Sequence, residues 1–310
     1  DITHSGTGRF TWLTMRPMSL YESADSTGQV SLKDLFDKPD SLEGENNLNI
    51  DKLAFLICRG GWPHAVGMRE KIALAQAEDY YEAVIKSDIN RADGVSKNPE
   101  RVKRLLRSLA RNQGAQIANT MLKNDIVSND TESLNEDTIA SYLNALKKIF
   151  VIEDMPAWNP NLRSKTSIRS SDTRYFVDPS IAVSALGAGP QDLINDLNTM
   201  GLLFETLCVR DLRVYAEKIG GSVLHYRDKS GLECDTVIHL KNGRYGLAEI
   251  KLGGQKLIEE GAANLKALSN KIDTSKMPAP SFLMIIIGVG EFAYKREDGI
   301  FIVPIGCLKD

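Results

Sequence analysis

A chain of 310 residues can hold two or three domains, each burying its own core. Its composition, 42% hydrophobic and 25% charged, is that of a globular protein, and a net charge of -3 excludes a global basic field, so any nucleic-acid surface has to be local. Cys58, Cys208, Cys234 and Cys307 form no CxxC pair, which argues against a disulfide framework or a zinc site and predicts reduced thiols in a cytoplasmic protein.

No apolar run approaches the roughly 20 residues that span a bilayer, so no membrane partner is expected. The chain begins DITHSGTGRF without an initiator Met and is expected to be a fragment. SGTGR lacks the GxxxxGK[ST] spacing that cradles phosphates and reads as a turn. Phe10 to Met15 alternates like a strand, and Ser19 followed by Glu22 is the capping-box start of a short helix. The apolar run LAFLIC is a helix or a buried strand, stopped by Gly60, Gly61 and Pro63. A helical pattern covers 68–87. Residues 98–158 hold three helices and then a strand. Val102, Leu105, Leu106 and Leu109 mark the first helix, the second covers about 116–124, and the third is capped within Ser133 to Asp137.

Three helices followed by a strand is winged helix-turn-helix order. The third helix exposes Asn135, Glu136, Asp137, Ser141, Asn144 and Lys147. Its acidic start disfavours phosphate binding, so a structural or protein-docking role is favoured over direct DNA reading. The polar stretch at 161–172, with Arg163, Lys165 and Arg169, reads as a solvated loop. A strand then ends at Asp178, and Pro179 opens a helix. From 191 the pattern becomes α/β: a long helix at 198–218, strands at 222–227, 232–240 and 244–252, a helix at 256–268, a buried strand at 282–289 and a terminal strand at which Pro304 marks an edge or an end.

The hairpin LECDTVIHLKNGRYGLAEIKLG carries the chemistry. Glu249 and Lys251 leave one face of a strand, and Asp235 lies on the strand before it. Two carboxylates and a lysine meeting on one edge of a hairpin are how a magnesium-dependent nuclease builds its site. Asp235 and Glu249 would hold Mg2+, and Lys251 would polarise water or neutralise transition-state charge. Glu205, on the preceding helix, is a further metal-ligand candidate. Glu233 is a second-rank one. His64 and His225 are read as structural or surface residues, and His239 flanks the site. ExK also arises on ordinary solvated strands, so a preserved metal site stands beside a purely structural remnant.

Several motifs, taken together, resemble the AAA+-type ATPases that carry the domain of unknown function 4143. They are HSGTGRFTWLTMRPMSLYES, GGWPHA, DTIASYLNALKKIFVIEDMPAW, RYFVDPSI, GLLFETLCVRDL, HYRDKSGLECDTVIHL and YGLAEIKLG. The resemblance implies a multi-domain α/β (α+β) chain. In it 1–50 would be a remnant of the ATPase core, 51–160 a lid with a winged-helix-like region, and 161–310 a PD-(D/E)XK nuclease-like domain. It places Asp235, Glu249 and Lys251 on the nuclease-like motif and Glu205 on its helical acid. No P-loop sequence is present, so ATP binding is expected only of a longer protein; no role is assigned to Arg9 and Arg16. The function implied is metal-dependent phosphodiester cleavage. The alternative is a non-catalytic module that recognises nucleic acid or a protein partner.

Overall fold

The computed structural model describes residues 8–11, 13–39, 42–92, 94–127, 135–160 and 171–310. No strand forms at the described positions of 10–15, and Phe10, Leu13 and Met15 are exposed. Alternation makes a strand only beside an edge that takes up its backbone hydrogen bonds, and no described strand pairs with this segment. The capping-box bonds expected next do form: Ser19 N–H donates to Glu22 Oε2 at 2.8 Å and Glu22 N–H to Ser19 Oγ at 3.2 Å. They close a turn rather than a helix, because Ala24 turns left-handed at φ 60°.

The chain continues through β1 (Val30–Ser31), α1 (Leu32–Asp37), β2 (Gly44–Glu45) and α2 (Ile50–Arg59). Asn49 caps α2 by accepting from Lys52 N–H at 2.8 Å, so LAFLIC is helical. The double glycine that ends it has two causes. Gly60 sits at φ 71°, and a Cβ on Gly61 would stand 2.1 Å from the Met18 carbonyl oxygen. Then come α3 (Glu70–Ala83), prolonged by a π turn at Val84–Asp88, followed by α4 (Pro99–Arg111), α5 (Asn119–Val127) and α6 (Glu136–Lys148). The cap of α6 is Asn135, which accepts from Thr138 N–H at 2.8 Å; Ser133 and residues 161–170 lie outside the described residues. A two-stranded ribbon follows, β3 (Ile152–Met155) antiparallel to β4 (Thr173–Phe176). After α7 (Pro179–Leu186) and α8 (Pro190–Asn195) comes α9 (Leu197–Lys218).

The remaining elements are β5 (Gly221–Arg227), β6 (Glu233–Leu240), β7 (Tyr245–Lys251), α10 (Gln255–Lys271), β8 (Leu283–Ile287), β9 (Phe292–Lys295), β10 (Phe301–Pro304) and β11 (Leu308–Lys309). The seven-stranded sheet runs β2-β9-β10-β8-β7-β6-β5. β7, β8 and β10 are parallel, and the other pairings are antiparallel. The expected terminal strand is split by a 3-10 turn at Ile305–Cys307, and Pro304 ends an interior strand rather than marking an edge. The architecture is therefore mixed α/β, helical first and sheet-based after. Along β7, Ala248 and Ile250 join the core shared with Leu203 and Phe204 of α9, while Tyr245 and Leu247 join the core under Ile258 and Leu265 of α10. Alternation on a strand covered on both faces produces this division.

A buried charge network ties the helical part together. The Arg210 guanidinium lies 2.9 Å from Asp178 Oδ2 and 2.7 Å from Asp211 Oδ1. Asp178 also accepts from Gly61 N–H at 2.8 Å, and Asp211 from Leu20 N–H at 2.9 Å. All three side chains are almost wholly enclosed. Four distant stretches of sequence are thus fastened at one point.

Candidate functional site

Asp235 stands in a distorted strand. Leu224 pairs with Val237 and Tyr226 with Cys234, so His225 alone opposes Asp235 and Thr236. This bulge re-aims Asp235 while Cys234 and Val237, three positions apart, both stay in the α10-side core. Asp235 Oδ2 accepts from Ile250 N–H at 2.7 Å and lies 3.1 Å from Lys251 Nζ. Lys251 Nζ lies 2.7 Å from Glu249 Oε2. The sequence-predicted trio is therefore assembled, with the ammonium between the two carboxylates.

Glu249 is 2% exposed, and its Oε1 is buried without a hydrogen-bond partner. Helix α10 covers it closely: a Cβ on Gly261 would lie 3.4 Å from the Glu249 Cβ. Burial, then repulsion from Asp235, holds the Glu249 carboxyl well above its ordinary range, against the pull of Lys251. Burial lowers the Lys251 ammonium, but Asp235 and Glu249 outweigh it and raise it overall.

Glu205 approaches from α9. The Tyr175 hydroxyl donates to its Oε1 at 2.6 Å. Burial and then Asp235 raise the Glu205 carboxyl, opposed by the Tyr175 hydrogen bond. Gly114, at φ 68°, leaves room for it: a Cβ there would meet Glu205 Oε1 at 2.6 Å. Tyr175 and Gly114 were not foreseen from sequence, since Tyr175 lies 30 positions before Glu205 and no local pattern links them. Glu205 and Lys251 line a groove of about 490 Å³, whose other walls include Asn198, Leu202, Leu257 and Val289.

The remaining predicted residues fall outside this group. Glu233 is exposed and pairs with Arg227 at 3.2 Å. His225 is buried in the middle of β5, where burial lowers its imidazole. His239 stacks on Tyr245 at 6.4 Å, opposite it on β7, and His64 lies on an exposed 3-10 turn. Arg16 binds Glu153, and Arg9 is exposed. Among the described residues no three His, Cys, Asp or Glu side chains are arranged to hold a metal ion. The feature that does fit a cation is the unpartnered buried oxygen of Glu249 beside Asp235.

A glutamine at position 249 should make the protein more stable, relative to wild type, as pH rises. The folded carboxyl titrates above its unfolded value, so its contribution to stability is full below the unfolded pKa and is lost as pH climbs through the folded one. Thermal melts in EDTA should show Glu249→Gln gaining on wild type between about pH 5 and pH 9, with each kcal/mol worth about 2–4 °C. A pH-independent difference would contradict this account of the site.

Residues 200–308 match a domain of unknown function, DUF4143, and residues 50–192 match another, DUF8612. No curated protein and no solved structure matches the chain. Glu205, Asp235, Glu249 and Lys251 all lie within the DUF4143 match, whereas Tyr175 and Gly114 lie within the other.

Proposed function

We propose that the DUF4143 part of the chain is a PD-(D/E)XK-like, metal-dependent site that hydrolyses nucleic-acid phosphodiesters. The observation that carries the reading is Lys251 Nζ set between Asp235 and the buried, half-partnered Glu249. Asp235 and Glu249 would hold Mg2+, with Glu205 alongside. The ion would supply Lewis acidity and lower the pKa of water. Ile250 N–H fixes the orientation of Asp235, and Tyr175 fixes that of Glu205. Lys251 orients the attacking water and balances charge that develops on phosphate oxygens. In this reading the helices α4–α6 with the β3–β4 ribbon are a winged-helix-like module, and the whole is the C-terminal part of a cytoplasmic AAA+-type ATP-binding protein.

A second reading is favoured by the ion pairs themselves. Lys251 already satisfies one oxygen of each carboxylate, and no three-acid cage is formed among the described residues. In that case the fold is a non-catalytic module recognising nucleic acid or a protein. Titration calorimetry with Mn2+ decides between them. Asp235→Asn keeps an acceptor for Ile250 N–H but removes the charge. Wild type should bind the ion and the variant should not; a wild type that binds no ion leaves the recognition module as the function.

A further inference from the structure

Helix α4 carries a basic face that the site does not explain. Its apolar side, Val102, Leu105, Leu106 and Leu109, is buried. Lys103, Arg107 and Arg111 recur at i, i+4 and i+8 on the other side, with Arg104 beside them. Arg107 and Arg111 are exposed and form no ion pair among the described residues. The only acid on the helix is Glu100 in the first turn, 3.6 Å from Lys103. Like charges at this spacing repel one another and weaken a helix. The last turn gains from one cation near the helix C-terminus, which does not account for the whole row.

The chain leaves the helix close to one of the acids, Glu205. Three residues beyond Arg111 the chain reaches Gly114, packed against Glu205 Oε1 and the Tyr175 hydroxyl. Gly114 N–H also donates to the Arg174 carbonyl at 3.2 Å. We infer that this face of α4 is a track for the phosphodiester backbone of a nucleic acid, leading it toward the carboxylates; the inference deepens the nuclease reading and rests on it for the direction of the track. The cations step along the helix by about 6 Å each, a spacing suited to successive phosphates. Guanidinium groups also bind phosphate oxygens in bidentate pairs. By contrast α6, third in the winged-helix order, opens on Glu136 and Asp137. With a net charge of -3 on the chain, a polyanion has to be held locally.

The test is fluorescence anisotropy with labelled duplex and single-stranded DNA, in EDTA so that binding is read apart from cleavage. Arg107→Ala with Arg111→Ala should weaken binding about tenfold or more regardless of base sequence. It should also reduce the slope of log K against log salt by about 1.8 on duplex, two phosphates at about 0.9 each. Both residues are exposed, and an unchanged thermal melt would show that folding is intact. Unchanged affinity and slope in the variant would overturn the inference. So would a wild type that binds no nucleic acid, or one that binds polyglutamate equally well. DNA binding that needs the two arginines, in a protein that neither binds Mn2+ nor cleaves, would uphold the track and refute the nuclease reading.

Discussion

Replacing Arg210 with methionine should cost about 3–5 kcal/mol of folding stability, the range for removing one partner of a buried ion pair. Arg210 is the shared cation of Asp178 and Asp211, and all three are nearly excluded from solvent. Without it two carboxylates are left in a medium that solvates charge poorly. Burial already raises the Asp211 carboxyl even with the guanidinium present, so in the variant it is expected to take up a proton. The same acids hold Gly61 and Leu20 N–H, which spreads the loss to both loops. Urea denaturation at neutral pH measures the effect. Adding Asp211→Asn should recover part of the loss, since an asparagine oxygen there still accepts from Leu20 N–H and the side chain carries no charge. A shift below about 1 kcal/mol for the single variant would mean that water reaches the network.

On the proposed nuclease reading, which would also have the site bind Mn2+, Lys251→Met should lower phosphodiester cleavage by about 10²–10³-fold, the effect of removing one preorganised group that stabilises transition-state charge. Mn2+ binding should persist or tighten, because the substitution takes away the ammonium that now neutralises Asp235 and Glu249. The split between the two readouts separates a role in cleavage from one in folding. Cleavage that survives the substitution unchanged would remove Lys251 from the mechanism.

The central features of the candidate site were legible because they rest on short-range geometry. Glu249 and Lys251 are two apart on a strand, and a turn brings Asp235 alongside. Glu205 could be placed on a helix preceding the sheet from the apolar pattern of 198–218 alone. The bulge at Asp235 and Thr236 leaves no such mark, since it depends on how β5 pairs with β6. Nor does Tyr175, which reaches Glu205 from a separate ribbon. Nothing local marks Arg210 and Asp211 as buried, because α9 is enclosed around most of its circumference and charges there survive by pairing with each other and with loops far away in sequence. The two-residue strands β1 and β2 are too short for any periodicity: β2 forms because β9 offers it the edge of the seven-stranded sheet, and β1 because β11 pairs with it in a separate two-stranded ribbon.

The pairing of β1 with β11 also sets an order of events. The Ser26 hydroxyl donates to the carbonyl of Leu308, 282 positions later, and Val30 lies beside that same residue. During synthesis residues 26–31 have to wait for nearly the whole sequence before their partners exist. Closing so long a loop adds only logarithmically to the entropy cost, but contacts of this range form late. In the interval a long apolar strand would be open to pairing with other chains. A strand of two residues, β1 presents little edge to such neighbours.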